Sequence, residues 1–74
     1  MRTIKKGDYI LITDQFDEYF LKIGEVIGIE QYLDGDIKEY TIMFGYNYET
    51  SQSKFGWYSY DLPERCRVLT FENR

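Results

Sequence analysis

Apolar and polar positions alternate over short stretches punctuated by glycine, aspartate and proline, and this rhythm predicts strands rather than helices. Residues 8–13, Asp-Tyr-Ile-Leu-Ile-Thr, are dense in β-branched and aromatic side chains and predict a first strand after a turn at Gly7. Residues 14–22 keep no period and read as a long excursion with Phe16, Tyr19 and Phe20 as anchors. A second strand is expected from Glu25 to about Leu33, with Gly28 marking a bulge or a corner. Asp34-Gly35-Asp36 is a strong hairpin signal. Residues 38–44 follow as a third strand with Tyr40, Ile42 and Phe44 on one face. The polar run 45–54 reads as a loop or the twisted end of a hairpin, and residues 55–60 as a fourth strand. Asp61-Leu62-Pro63-Glu64 predicts a turn, with Pro63 suited to the start of one helical turn. Residues 65–71 close the pattern as a fifth strand that puts Cys66 and Val68 on one face. The best helical stretch, residues 16–23, is short, aperiodic and followed by Gly24. Five short strands separated by turns predict an all-β barrel or sandwich, and closing the sheet hides its edges.

Size makes this one domain, spanning 1–74, with a thin stability margin. A single cysteine, Cys66, excludes an internal disulfide, and with no histidine the usual zinc ligand set is missing. Large aromatic side chains, 19% of the chain, are the remaining means of filling a small core. No run approaches the roughly 20 apolar residues that span a bilayer, and no secretory pattern follows Arg2, Lys5 and Lys6. The expectation is a cytoplasmic protein without a membrane partner.

The net charge of −4 conceals a polarity. Residues 8–49 hold ten acids against two bases, Lys22 and Lys38, whereas the two ends are basic. An acidic middle either keeps the chain soluble or meets a basic partner.

Gly7-Asp8-x-Ile10-x-Ile12, Gly24-x-Val26-x-x-Ile29, Tyr40-x-Ile42-x-Phe44 and Leu62-Pro63-Glu64-Arg65-Cys66-Arg67-Val68 occur in that order. Over residues 7–69 this resembles the small bacterial, phage and plastid SH3-like barrels, including KOW-type domains. The resemblance implies a five-stranded SH3-like barrel and specifies little about function. The Ala-Leu-Tyr-Asp-Tyr, Trp-Trp and Ser-x-x-Tyr motifs of proline-peptide-binding SH3 domains are missing. KOW domains are usually basic, and this chain is acidic.

Catalysis finds little support. Histidine, the commonest activator of serine or cysteine, is missing, and Ser51, Ser53 and Ser59 have no recognisable base. Cys66 reads as a packed core thiol. Asp14, Asp17 and Glu18 read as a solvated acidic loop rather than a hydrolytic pair. Asp34-Gly35-Asp36 lacks the spacing of a calcium loop, and no glycine-rich phosphate loop is present. No enzyme activity, cofactor or metal is expected.

Basic residues Arg2, Lys5, Lys6, Arg65, Arg67 and Arg74 would form one positive edge if the chain ends meet, with Trp57 or Tyr58 to stack on bases. The acidic middle opposes a polyanion within a Debye length of about 8 Å. A protein partner of basic character fits better. The candidate contact residues are Asp14, Asp17, Glu18, Tyr19, Tyr46, Tyr48 and Trp57, because tyrosine and tryptophan dominate interface hot spots. The functional expectation is a small cytoplasmic accessory or inhibitory protein, of the kind phages and mobile elements encode. The alternatives are a KOW-like nucleic-acid or ribonucleoprotein accessory domain and an acidic mimic of nucleic acid.

Overall fold

Tyr9–Ile12, Ile23–Gln31, Ile37–Asn47, Gln52–Tyr58 and Cys66–Leu69 form five strands, β1 to β5. Leu62–Arg65 forms a single helical turn, α1, immediately before β5. The computed structural model describes residues 3–47, 50 and 52–69. All pairings are antiparallel and the strand order is β4-β3-β2-β1-β5. The first four strands run as a meander, and β5 returns beside β1, an arrangement compatible with a small barrel-like fold.

Strand alternation builds the core. Ile10 and Ile12 from β1, Val26 from β2, Tyr40 and Ile42 from β3, and Tyr58 from β4 point inward and are buried, joined by Ile4 and by Leu62 from α1. Phe44, Cys66 and Val68 pack against this cluster. The Phe44 ring lies between two strands that carry glycine where it passes. A Cβ on Gly24 would meet Phe44 at 2.9 Å and Ile42 at 2.5 Å, and one on Gly56 would meet Phe44 at 2.8 Å. A full-sized aromatic ring therefore fits a small core because its two neighbours have no side chain.

The hairpin turn forms as expected, with Gly35 at φ 94° and Gly35 N–H donating to Tyr32 C=O at 2.9 Å. Register shifts between Val26 and Gly28, the bulge expected at Gly28. Several boundaries differ from the sequence pattern: β2 runs from Ile23 to Gln31 rather than from Glu25 to about Leu33, and β4 ends at Tyr58 rather than at residue 60. β3 continues to Asn47 and β4 begins at Gln52, so much of the polar run 45–54 is paired strand. Its backbone ladder, Gly45↔Lys54, Tyr46↔Ser53 and Asn47↔Gln52, continues past the point where apolar alternation stops. Main-chain pairing needs no buried side chain, so hydrophobic periodicity does not mark its end. Arg65 belongs to α1 rather than to the last strand. Among the described residues, no helix is long and apolar enough to cross a membrane.

Candidate interaction surface

The excursion between β1 and β2 is a chain of turns held by its own aspartates. Asp14 accepts from Phe16 N–H at 3.0 Å through Oδ1, and Asp17 accepts from Tyr19 N–H at 2.8 Å through Oδ1. Backbone bonds from Asp17 N–H to Asp14 C=O, Phe20 N–H to Asp17 C=O and Lys22 N–H to Tyr19 C=O carry the turns forward. Short acidic side chains favour such turns because they hydrogen-bond the backbone two residues on. Leu21 closes the loop in the left-handed region at φ 66°, with its N–H donating to Ile12 C=O at 2.9 Å.

The remaining oxygens of both aspartates grip one arginine. Arg65 Nε donates to Asp14 Oδ2 at 2.8 Å and Arg65 Nη2 to Asp17 Oδ2 at 2.7 Å. The Asp17 side chain is only 7% exposed. The Tyr58 hydroxyl donates to Asp17 Oδ1 at 3.1 Å, and the Arg65 guanidinium lies over the Tyr58 ring at 5.2 Å. Tyr19 stacks on Phe44 at 4.0 Å with planes 5° apart, and its hydroxyl donates to Phe55 C=O at 3.2 Å. The loop is thus fastened to α1, β3 and β4 by charge, ring and hydroxyl together.

These contacts and burial shift several titratable groups. The Phe16 N–H and then the Arg65 guanidinium hold the Asp14 carboxyl below its ordinary value. Burial, reinforced by the negative charge of Asp17, pushes the Tyr58 phenol up. Burial pushes the Cys66 thiol up to about 11, which keeps it a neutral, weakly nucleophilic side chain.

The same fastening creates a groove of about 540 Å³ between the loop and β4. Phe16, Asp17, Glu18 and Tyr19 line one side, and Phe55, Gly56, Trp57 and Tyr58 the other, with Arg65 also on its lining. Phe16 is 88% exposed and Trp57 60% exposed. Phe55 and Trp57 approach at 6.1 Å between ring centroids.

The seven residues expected to meet a partner separate by position. Glu18 and Trp57 are exposed at the groove. Asp14, Asp17 and Tyr19 lie beside them but are engaged with Arg65, Tyr58, Phe44 and the backbone, which makes them the groove's framework. Tyr46 stands opposite Ser53 in the ladder; its side chain and Tyr48 lie outside the described residues. Phe16, which is not among those seven, joins the surface. Arg65, grouped above with the basic ends, instead joins the aspartates. Glu30 and Glu39 face each other across β2 and β3, and Asp34 and Asp36 occupy the exposed turn beyond them. The β3–β4 pairing stops at Tyr40↔Tyr58, so this acidic hairpin extends past β4.

The chain matches no known family model, and no curated protein or solved structure is significantly similar to it.

Proposed function

We propose that this chain is a non-enzymatic, cytoplasmic protein-interaction module built on an SH3-like barrel, and that the groove between the β1–β2 loop and β4 is its contact face. The strand order, with β5 beside β1, the long loop after β1 and the single helical turn before β5, supports the barrel reading. The observation that carries the function is the exposure of Phe16 and Trp57 on the two walls of a groove whose framework is rigidly tied. Exposed aromatic rings on a pre-ordered surface bind with little ordering cost and bury large area. An accessory or inhibitory role is the reading that such a contact face supports.

Affinity capture from lysate with the wild-type chain and with a Phe16→Ala/Trp57→Ala double variant tests this. A protein retained by the wild type and lost at least tenfold in the variant supports the reading. Equal recovery on both, with the variant folded, overturns it.

A second reading has its own observation. Glu30 directly opposite Glu39 is a like-charge pair that costs stability in isolation. With Asp34 and Asp36 it makes the hairpin an acidic projection suited to occupy a nucleic-acid site on another protein. Competition between this chain and DNA for a captured partner supports mimicry, and simultaneous binding rules it out.

A further inference from the structure

The register of the sheet determines which way the β4 backbone faces. Val26 N–H donates to Asp8 C=O at 2.9 Å, and Val26 C=O accepts from Gly7 N–H at 2.8 Å. Val26 therefore turns its main-chain groups toward β1, and its pair with Ile42 on β3 is of the non-hydrogen-bonded kind. Ile42 then turns toward β4 and exchanges bonds with Gly56. By alternation, the N–H and C=O groups of Phe55 and Trp57 point away from β3, out of the sheet edge. The Tyr19 hydroxyl on Phe55 C=O agrees with this, since that carbonyl is reached from the loop side. Among the described residues, no hydrogen bond from outside the sheet reaches the Trp57 main chain.

These outward groups belong to the edge that forms one side of the groove. We propose that the groove takes an extended segment of a partner protein, which adds to β4 as a sixth strand. That segment carries an apolar side chain between Phe16 and Trp57 and a basic side chain toward Glu18. Trp57 turns both an N–H and a C=O out of this edge, and an extended chain is the partner that presents the complementary pair. The charge selects its chemistry. Of the charged residues on the groove's lining, Asp17 and Arg65 are already paired with each other, which leaves Glu18 as the exposed charge there, with Lys22 and Lys54 beside it on the adjoining hollow. Tyr19 stops the added strand at Phe55, because its hydroxyl already occupies that carbonyl.

This inference rests on the groove being a protein-contact face, and its test separates the two. The probe is a displayed library of short random peptides, selected on the intact chain. Selected binders are then made with single backbone N-methyl groups at each position. Strand addition predicts binders that carry a basic residue, that slow exchange of the Trp57 amide, and that lose about tenfold or more in affinity on methylation at alternate positions only. Glu18→Lys lowers their affinity at least fivefold without unfolding the chain. Binders lost in the Phe16→Ala/Trp57→Ala variant but showing no alternation and no Trp57 amide protection overturn strand addition and leave the contact face standing. A library that yields no binder also overturns strand addition, while the capture experiment independently decides the contact face.

Discussion

Arg65 Nη2 lies 2.7 Å from Asp17 Oδ2, across 48 positions of sequence. This contact joins α1 to the β1–β2 loop and so sets the width of the groove. Removing the guanidinium leaves a nearly buried carboxylate without its cation. Arg65→Ala is expected to destabilise the chain by about 2–3 kcal/mol, read as a lower urea midpoint at constant slope. Arg65→Lys recovers only part of this loss, because an ammonium cannot address two carboxylates with a planar fork. A midpoint unchanged in Arg65→Ala would mean that the Tyr19–Phe44 stack and the Tyr19 and Tyr58 hydroxyl bonds hold the loop without the ion pairs.

Acid tests the same cluster through Asp14. Its folded-state carboxyl titrates below the ordinary value of 3.8, so the folded form binds fewer protons than the unfolded form in that range. The stabilisation is fully present above the unfolded value and disappears as pH falls through the lower, folded one. Urea midpoints should therefore drop below about pH 4. Asp14→Asn should show a shallower drop over the same window.

Alkali acts through Cys66 and Tyr58, whose folded-state values are raised by burial. Stability from Cys66 is complete below its ordinary value of 9.0 and is lost as pH rises toward about 11. A Cys66→Ala variant should have a flatter profile in that window. At neutral pH the thiol should react with a disulfide reagent far more slowly than free cysteine, and at a rate that rises with urea.

Gly24 and Gly56 are glycine for a reason of space. A methyl group at either must displace the Phe44 ring, and at Gly24 Ile42 as well, so Gly24→Ala and Gly56→Ala should each cost about 2–3 kcal/mol. Gly28 offers a contrast, since an added Cβ there meets Thr41 at an ordinary 3.6 Å. Thermal melts should place Gly28→Ala well above the other two. Similar losses at all three would mean that backbone freedom matters more than the Phe44 contact.

Leu21 holds a left-handed conformation while exposed. Replacing it with glycine removes a steric cost of about 1–2 kcal/mol against a smaller entropy loss, so Leu21→Gly should raise the melting temperature by a few degrees. A lower melting temperature would show that the Leu21 side chain contributes packing that outweighs its strain.

Much of the sheet is legible in the chain because its signals are local. Tyr40, Ile42 and Phe44 alternate inward as their spacing predicts, Asp34-Gly35 turns the hairpin, and Gly28 marks a bulge. For the polar run 45–54 the sequence left a loop and the end of a hairpin open, and the ladder decides for the hairpin, since main-chain pairing leaves no mark on side-chain hydropathy. The contact face was legible only in part. Glu18 and Trp57 reach solvent at the groove, whereas Asp14, Asp17 and Tyr19 form its frame. Sequence distance hid this: nothing near Asp17 announces that Arg65 and Tyr58 will meet it.

The sequence by itself determined an all-β chain, its turns, an inward-facing Cys66 and an acidic middle, because propensity, spacing and charge are properties of neighbours. Only the tertiary structure decided how that acidity is divided. It drew Asp14 and Asp17 onto Arg65, left Glu30 and Glu39 paired on a hairpin, and set Phe16 across a groove from Trp57. The physical reason is that a carboxylate's role depends on which cation, donor or ring arrives beside it from a distant strand.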